Sequence, residues 1–349
     1  MIKPWVFEFF HSIPARETDD PGAVKQQHDR HLALWQKDEN LDFEGIFFSE
    51  HHFGPGYSPN PNLLVAALAL TTKRMRLGTL GCSTAYVDAL RIVEEAAMLD
   101  NLTNGRLEFG IVRGIPQELE RLGMTVPDGE ARFEGILKDV DAAFRAANGA
   151  FICRGLPVAP PLRQSDMPKW LAITSERSAR RAAKIGWKIC AGFVSTGNLT
   201  ALFDAYRDEA GLTRAQAFDL LGVRRRILFV DDASAAPMAR VDLRKQAIAH
   251  AKAGMKGVSQ APGSAQAIID LDAMIQKLLS EDEFIVGTPG DVAEQIIDQC
   301  RTAGCAHFMA GMDSTDIFED MAKAHEIFGE KVIPLLRKAD VTLSTEMAV

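Results

Sequence analysis

The feature that most constrains this chain is a repeated alternation. Short apolar runs of strand length occur at Trp5–Phe10, Gly45–Ser49, Met75–Ser83, Arg106–Val112, Lys169–Ile173, Lys188–Phe193, Val223–Val230 and His307–Met312. Segments of helical periodicity fall between or after them, at 23–40, 61–72, 89–102, 130–147, 175–185, 198–210, 234–253, 289–303 and 314–328. A strand that returns through a helix must run parallel to its predecessor. Eight such units predict an α/β protein, a (β/α)8 TIM barrel. An open, doubly wound sheet is the alternative. The first strand is not followed by G-x-G-x-x-G, which counts against it.

Two stretches break the pattern. Residues 148–168 are rich in Pro and Gly, and residues 254–285 fit no simple strand–helix unit. Long irregular insertions in barrels serve either as mobile lids or as packed extra structure. The sequence leaves both open for 254–285. No linker divides residues 1–349, so one domain is expected.

Composition narrows the partners. Apolar residues make up 47% and the net charge is −8. No run of Lys and Arg with interleaved aromatics is present, which argues against nucleic acid, and an acidic surface gains nothing from anionic lipid. The five cysteines are odd in number and contain no C-x-x-C, as in a reduced, cytoplasmic protein. The aliphatic run Leu63–Leu70 is too short to span a bilayer. A soluble, cytoplasmic protein is expected.

In such a barrel the chemistry sits where strands end at their C-termini. The second strand ends in F-F-S-E-H-H-F, residues 47–53. His51 and His52 are neighbours in an extended segment and should point to opposite faces. They cannot easily share one metal ion, although His11 and Asp313 stand at other strand ends. No metal is therefore expected. One histidine facing the mouth could move a proton near neutral pH, oriented by Glu50 or a backbone carbonyl. A packed or capping histidine fits the same residues.

The fourth strand ends in Arg113-Gly114, and the fifth in Thr174-Ser175 with Ser178 one turn on. A planar guanidinium beside a helix N-terminus suits a phosphate. A salt bridge for Arg113 fits equally well, and plain N-capping by Thr174 or Ser175 is the commoner role for such residues. V-G-T-P-G at 286–290 offers a second place for an anion. Phe10, His11, Phe53, Tyr57, Val112 and Met312 could line a substrate pocket. That mixture of aromatic and aliphatic surface suits a small, mostly apolar molecule.

The motifs F-S-E-H-H-F (48–53), L-G-T-L-G-C-S-T-A (77–85), L-D-N-L-T-N-G-R-L-E-F-G-I-V-R-G (99–114), T-S-x-x-S (174–178) and V-G-T-P (286–289) occur in order. On these the chain resembles the luciferase-like flavin monooxygenases, the family of bacterial luciferase. The resemblance implies a barrel that binds reduced FMN (FMNH2). It implies His51 as the acid/base group, and Arg113, Ser175 and Ser178, with Thr174 beside them, around the FMN phosphate. It implies Glu50, Leu80 and Gly81 about the flavin, with a non-proline cis peptide at Leu80-Gly81. The implied chemistry is a flavin C4a-(hydro)peroxide that oxygenates an aldehyde or ketone. Reduced flavin would come from a separate reductase. Two departures stand out. Val112 occupies the place where bacterial luciferase has a reactive cysteine, and Asp88-Ala89 replaces a His-Pro pair. An F420-dependent hydride-transfer oxidoreductase, a non-catalytic flavin-binding barrel and a metal-dependent hydrolase are the competing readings.

Helices 61–72 and 89–102 are apolar around much of their circumference. An outer barrel helix of that kind needs cover on its second side, which predicts a homodimer.

Overall fold

A computed structural model describes residues 1–10, 21–53, 58–145, 151–255, 280–312 and 318–339. Among the described residues, and apart from the two-residue piece Cys82–Ser83, nine parallel strands carry the architecture: β1 (Lys3–Glu8), β2 (Gly45–Phe48), β3 (Arg76–Thr79), β4 (Leu107–Val112), β5 (Lys169–Ile173), β6 (Lys188–Ala191), β7 (Leu221–Phe229), β8 (Phe284–Gly287) and β9 (His307–Gly311). Neighbours pair in sequence from β1 to β7. β9 closes the ring by pairing with β7 on one side and β1 on the other. The result is the expected closed barrel of eight parallel strands with flanking helices.

The ninth strand is a correction. β8 pairs with the upper half of β7, Arg226 to Phe229. It overlaps the end of the insertion expected over 254–285, and the preceding helix Ala236–Met255 overlaps its start. Residues 256–279 lie outside the described residues. F-I-V-G follows a stretch with no strand–helix alternation, so nothing in its neighbourhood marks it as a strand of the repeat. A second correction concerns the third strand, read as continuous over 75–83. It stops at Thr79, passes through a cis peptide at Leu80-Gly81, and resumes at Cys82–Ser83. The register against β4 moves from Leu77↔Leu107 to Cys82↔Ile111, so one extra residue is absorbed at the break.

The helices that frame the mouth are α1 (Pro21–Asp38), α2 (Pro61–Thr71), α3 (Ala89–Leu102), α4 (Pro116–Arg121), α5 (Val126–Arg145) and α6 (Glu176–Ile185). α4 is a short helix that periodicity did not reveal. It starts on Pro116, whose fixed φ suits a first turn.

Period-2 alternation divides each strand between two cores. Trp5, Phe7, Phe9, Phe47, Leu80, Trp170, Cys190 and Met309 fill the barrel. Val6, Phe10, Ile46, Phe48, Phe308, Ala310 and Met312 face outward to the helices. The barrel is plugged at one level by a polar layer. Trp5 Nε1–H donates to His307 Nδ1 at 3.0 Å, and Trp170 Nε1–H to Glu108 Oε2 at 2.5 Å.

Candidate active site

The loop after β2 presents the two histidines in opposite directions, as an extended segment requires. His51 lies on the ring of Phe9, with centroids 5.6 Å apart and planes 26° apart. Its side chain is 33% exposed, open to the mouth. His52 instead stacks on Tyr86 at 3.7 Å, and its Nε2 lies 2.9 Å from Glu50 Oε1. The pair thus serves two separate places. Among the described residues no group of three His, Cys, Asp or Glu converges on a point that could hold a metal ion.

The group that orients His51 is Glu118 of α4. Glu118 Oε1 lies 3.4 Å from His51 Nδ1 and accepts the His52 backbone N–H at 2.8 Å. One buried carboxylate therefore fixes both the imidazole and the backbone beneath it. This corrects the expectation for Glu50. Glu50 lines a cavity of about 80 Å³ with His52, Asn62, Cys82, Tyr86 and Glu95, on the α2–α3 side. Burial raises the Glu50 carboxyl above the usual carboxylate range, and the bond to His52 opposes that rise. Burial likewise pushes the Cys82 thiol up to about 12, so it stays protonated.

On the next side of the mouth, Arg113 Nη1 donates to Glu130 Oε2 of α5 at 3.1 Å. Arg181 bonds the other oxygen of Glu130 and reaches Glu134 at 2.8 Å, while Arg177 reaches Glu134 at 2.9 Å. Burial acts to raise the Glu130 carboxyl, but hydrogen bonds from Arg181 and Arg113 hold it below its ordinary value. At the start of α6, Ser175 and Ser178 form a capping box. Their hydroxyl oxygens are 2.8 Å apart, and Ser178 Oγ–H reaches the Ser175 carbonyl at 2.8 Å. Thr174 and Ser175 are exposed. Next to Arg113, Gly114 has φ +95, and a Cβ there would lie 2.9 Å from Ser83 Oγ. Ser83 Oγ and Thr84 Oγ1 are buried and have no hydrogen-bond partner among the described residues.

The expected pocket wall divides. Val112 is half-buried and in inward register with Glu108 and Gly110. Leu80 is part of the barrel interior. Phe53 is largely exposed, under the guanidinium of Arg121 at 5.4 Å. Phe10 and Met312 do not line the mouth. Both turn to the outer core, where Phe10, past the end of β1 and at φ +51, packs edge-on against His28 and Trp35. Phe9 takes the inward place assigned to Phe10. His11, Tyr57 and Asp313 lie outside the described residues. V-G-T-P holds the end of β8 and a capping box in which Thr288 and Asp291 bond each other, which sets a carboxylate at the start of that helix.

Sequence reasoning also missed Arg224 and Arg226 of β7. Three successive arginines in an apolar strand were a visible signal. Both are buried inside the barrel, with Glu283 bonded to Arg224.

The sequence pattern of luciferase-like monooxygenases matches residues 7–307. A Sinorhizobium fredii protein, the uncharacterized y4wF, is 30% identical over 311 residues, 86% of this chain and 89% of that one. The oxygenase component of a flavin-dependent trigonelline monooxygenase from Acinetobacter baylyi is 30% identical over 186 residues, 51% of this chain and 52% of its own. Among solved structures, the monooxygenase RslO1 from Streptomyces bottropensis superposes with a TM-score of 0.76 at 23% identity, covering 95% of this chain and 99% of its own.

Proposed function

Since the chain belongs to the luciferase-like monooxygenase family and is similar to the oxygenase component of a flavin-dependent monooxygenase, we propose that it is an FMNH2-dependent monooxygenase acting on a small organic aldehyde or ketone. The observation that carries this reading is His51, held by buried Glu118, stacked on Phe9 and open to the barrel mouth. One oxygen atom of O2 enters the substrate. The other leaves as water with the two electrons and two protons of FMNH2.

The residues present fit the cofactor. Arg113, the N-terminus of α6 and the hydroxyls of Ser175 and Ser178 form a face for its phosphate. The buried hydroxyls of Ser83 and Thr84 are donors that a polar guest beside Gly114 would satisfy. Bound reduced flavin supplies the electrons that activate oxygen. The protein's part is to orient, to keep water out and to manage a proton. The aromatic barrel interior supplies the dry wall. His51 Nε2, with Nδ1 turned to Glu118, holds or delivers the proton at the reacting oxygen. A likeness to an oxygenase component supports a separate reductase as the source of FMNH2.

Stopped-flow mixing of the FMNH2-loaded protein with oxygenated buffer tests the reading. A transient that outlives the reoxidation of free FMNH2 is expected, and His51→Ala should shorten its lifetime by about 10²-fold or more. Reoxidation no faster and no slower than free flavin, in both proteins, would leave a non-catalytic flavin-binding barrel. Failure to bind FMNH2 together with binding of F420 would replace the oxygenase by a hydride-transfer enzyme.

A further inference from the structure

The first strand runs into F-E-F-F, residues 7–10. Strand alternation puts Phe7 and Phe9 in the barrel and turns Glu8 the other way, toward α1. A buried glutamate between a strand and a helix costs stability unless its oxygens are bonded. Glu8 is 3% exposed, and both its oxygens are engaged. Oε1 accepts the Phe10 backbone N–H at 2.7 Å, and Oε2 accepts Trp35 Nε1–H at 3.1 Å. Trp35 is fully buried and meets Phe10 edge-on, with ring centroids 5.3 Å apart. A hydrocarbon side chain would fill this space without a charge to desolvate. It could not hold the Phe10 N–H.

That bond holds a turn. A side chain that bonds the backbone N–H two residues on competes with extended structure. Phe10 accordingly has φ +51, a left-handed conformation that residues other than glycine rarely adopt. The backbone is thus fixed after Phe9 by the turn and before it by the pairing of Glu8 with Phe48. Between these two points the Phe9 ring lies against His51, with centroids 5.6 Å and planes 26° apart.

The loop that bears His51 is tied to the same residue. The Glu8 carbonyl accepts the Ser49 N–H at 3.0 Å, the Ser49 carbonyl accepts Ser58 Oγ–H at 2.8 Å, and the Ser58 carbonyl accepts the His51 N–H at 3.3 Å. Glu8 therefore anchors both the ring that stacks on the imidazole and the loop that presents it.

We propose that Glu8 is a positioning residue for His51, acting through Phe9. Its carboxylate fixes the turn after Phe9, and the ring so placed sets the plane of the imidazole. This rests on the reading of His51 as the proton-handling group. It adds a residue on the outer side of β1 to the groups on which that proton depends.

The test reads the histidine itself by NMR, in the full chain without flavin. With histidine labelled at Cε1, the His51 signal is identified by its loss in His51→Ala. A stacked phenyl ring shifts that proton upfield, so Phe9→Leu should move it downfield. Glu8→Ala should move it the same way, and Glu8→Gln, which keeps one accepting oxygen, should move it less. The signal of His307, in register with Lys3 at the far end of β1, should stay in place. If circular dichroism shows that Glu8→Ala does not fold, the displacement in Glu8→Gln decides. The inference is overturned if the His51 signal ignores Phe9→Leu, or if it answers Phe9→Leu and neither Glu8 variant. It is also overturned if His307 moves as far as His51, which marks a general loosening of the fold.

Stopped-flow oxidation then ties placement to chemistry. In a folded Glu8 variant the oxygen-reactive transient should be about tenfold shorter-lived than in the parent protein, with FMN affinity unchanged. An unchanged lifetime would overturn the inference too. A parent protein that forms no transient, with the His51 signal displaced as expected, would sink the oxygenase reading and leave Glu8 as the residue that places His51.

Discussion

Single residues at the mouth divide into those that touch the chemistry and those that hold them in place. Glu118 is of the second kind. Glu118→Gln keeps an oxygen for the His52 N–H but loses the charge, whereas Glu118→Ala loses both. The lifetime of the oxygen-reactive transient should fall about tenfold in the first and about 10²-fold in the second, with FMN affinity unchanged. If both variants react like the parent protein, Glu118 only supports the fold. The positions of His51, Arg113, Ser175 and Ser178 at strand ends of the barrel were legible because the strand–helix alternation fixes where each strand stops. Glu118 was not, because nothing in P-Q-E-L-E-R marks which glutamate turns inward. Phe9 was recoverable. Counting by two from Trp5 puts Phe7 and Phe9 inside.

At the scale of elements, the alternation of strands and helices carried most of the fold, and its failures are physical. β8 follows a long stretch with no strand–helix alternation to place it, and α4, at six residues, is shorter than the windows in which helical periodicity can be seen. The break in β3 depends on a bulge, which has no apolar signature. The helical surface makes its own prediction. α2 leaves Leu63 and Leu70 at 67% and 70% exposed, and α3 leaves Met98 and Leu102 largely exposed. We propose that these faces pack against a second copy of the chain. Sedimentation at micromolar concentration should show a dimer, and Leu63→Glu with Leu70→Glu should convert it to monomer without loss of FMN binding. A monomeric parent protein would remove the proposal.

For the whole molecule, stability is tied to pH through buried histidines. His31 is held at about 4, chiefly by burial and partly offset by its bond to the Gln27 carbonyl. Below pH 6.5 the unfolded chain binds a proton that the folded chain refuses. Stability should therefore fall as pH drops from 6.5 to 4, by on the order of 3 kcal/mol for this one group, and then level off. His307, also pushed down by burial, acts in the same direction. Urea unfolding across that range measures the slope, and His31→Phe should make it shallower. An unchanged slope would assign the acid sensitivity to other groups.

The barrel is sealed by β1 against β9, Lys3 to Val6 beside His307 to Ala310. During synthesis the first strand therefore leaves the ribosome long before its final neighbour exists. At roughly 5–20 residues per second, the wait is roughly fifteen seconds to a minute. Throughout it, one edge of the growing sheet has open backbone groups that can pair with a stranger. A message truncated before His307 would make this exposure permanent. The cell would see such a product as a template for aggregation and a client for chaperones, and not as a weaker enzyme.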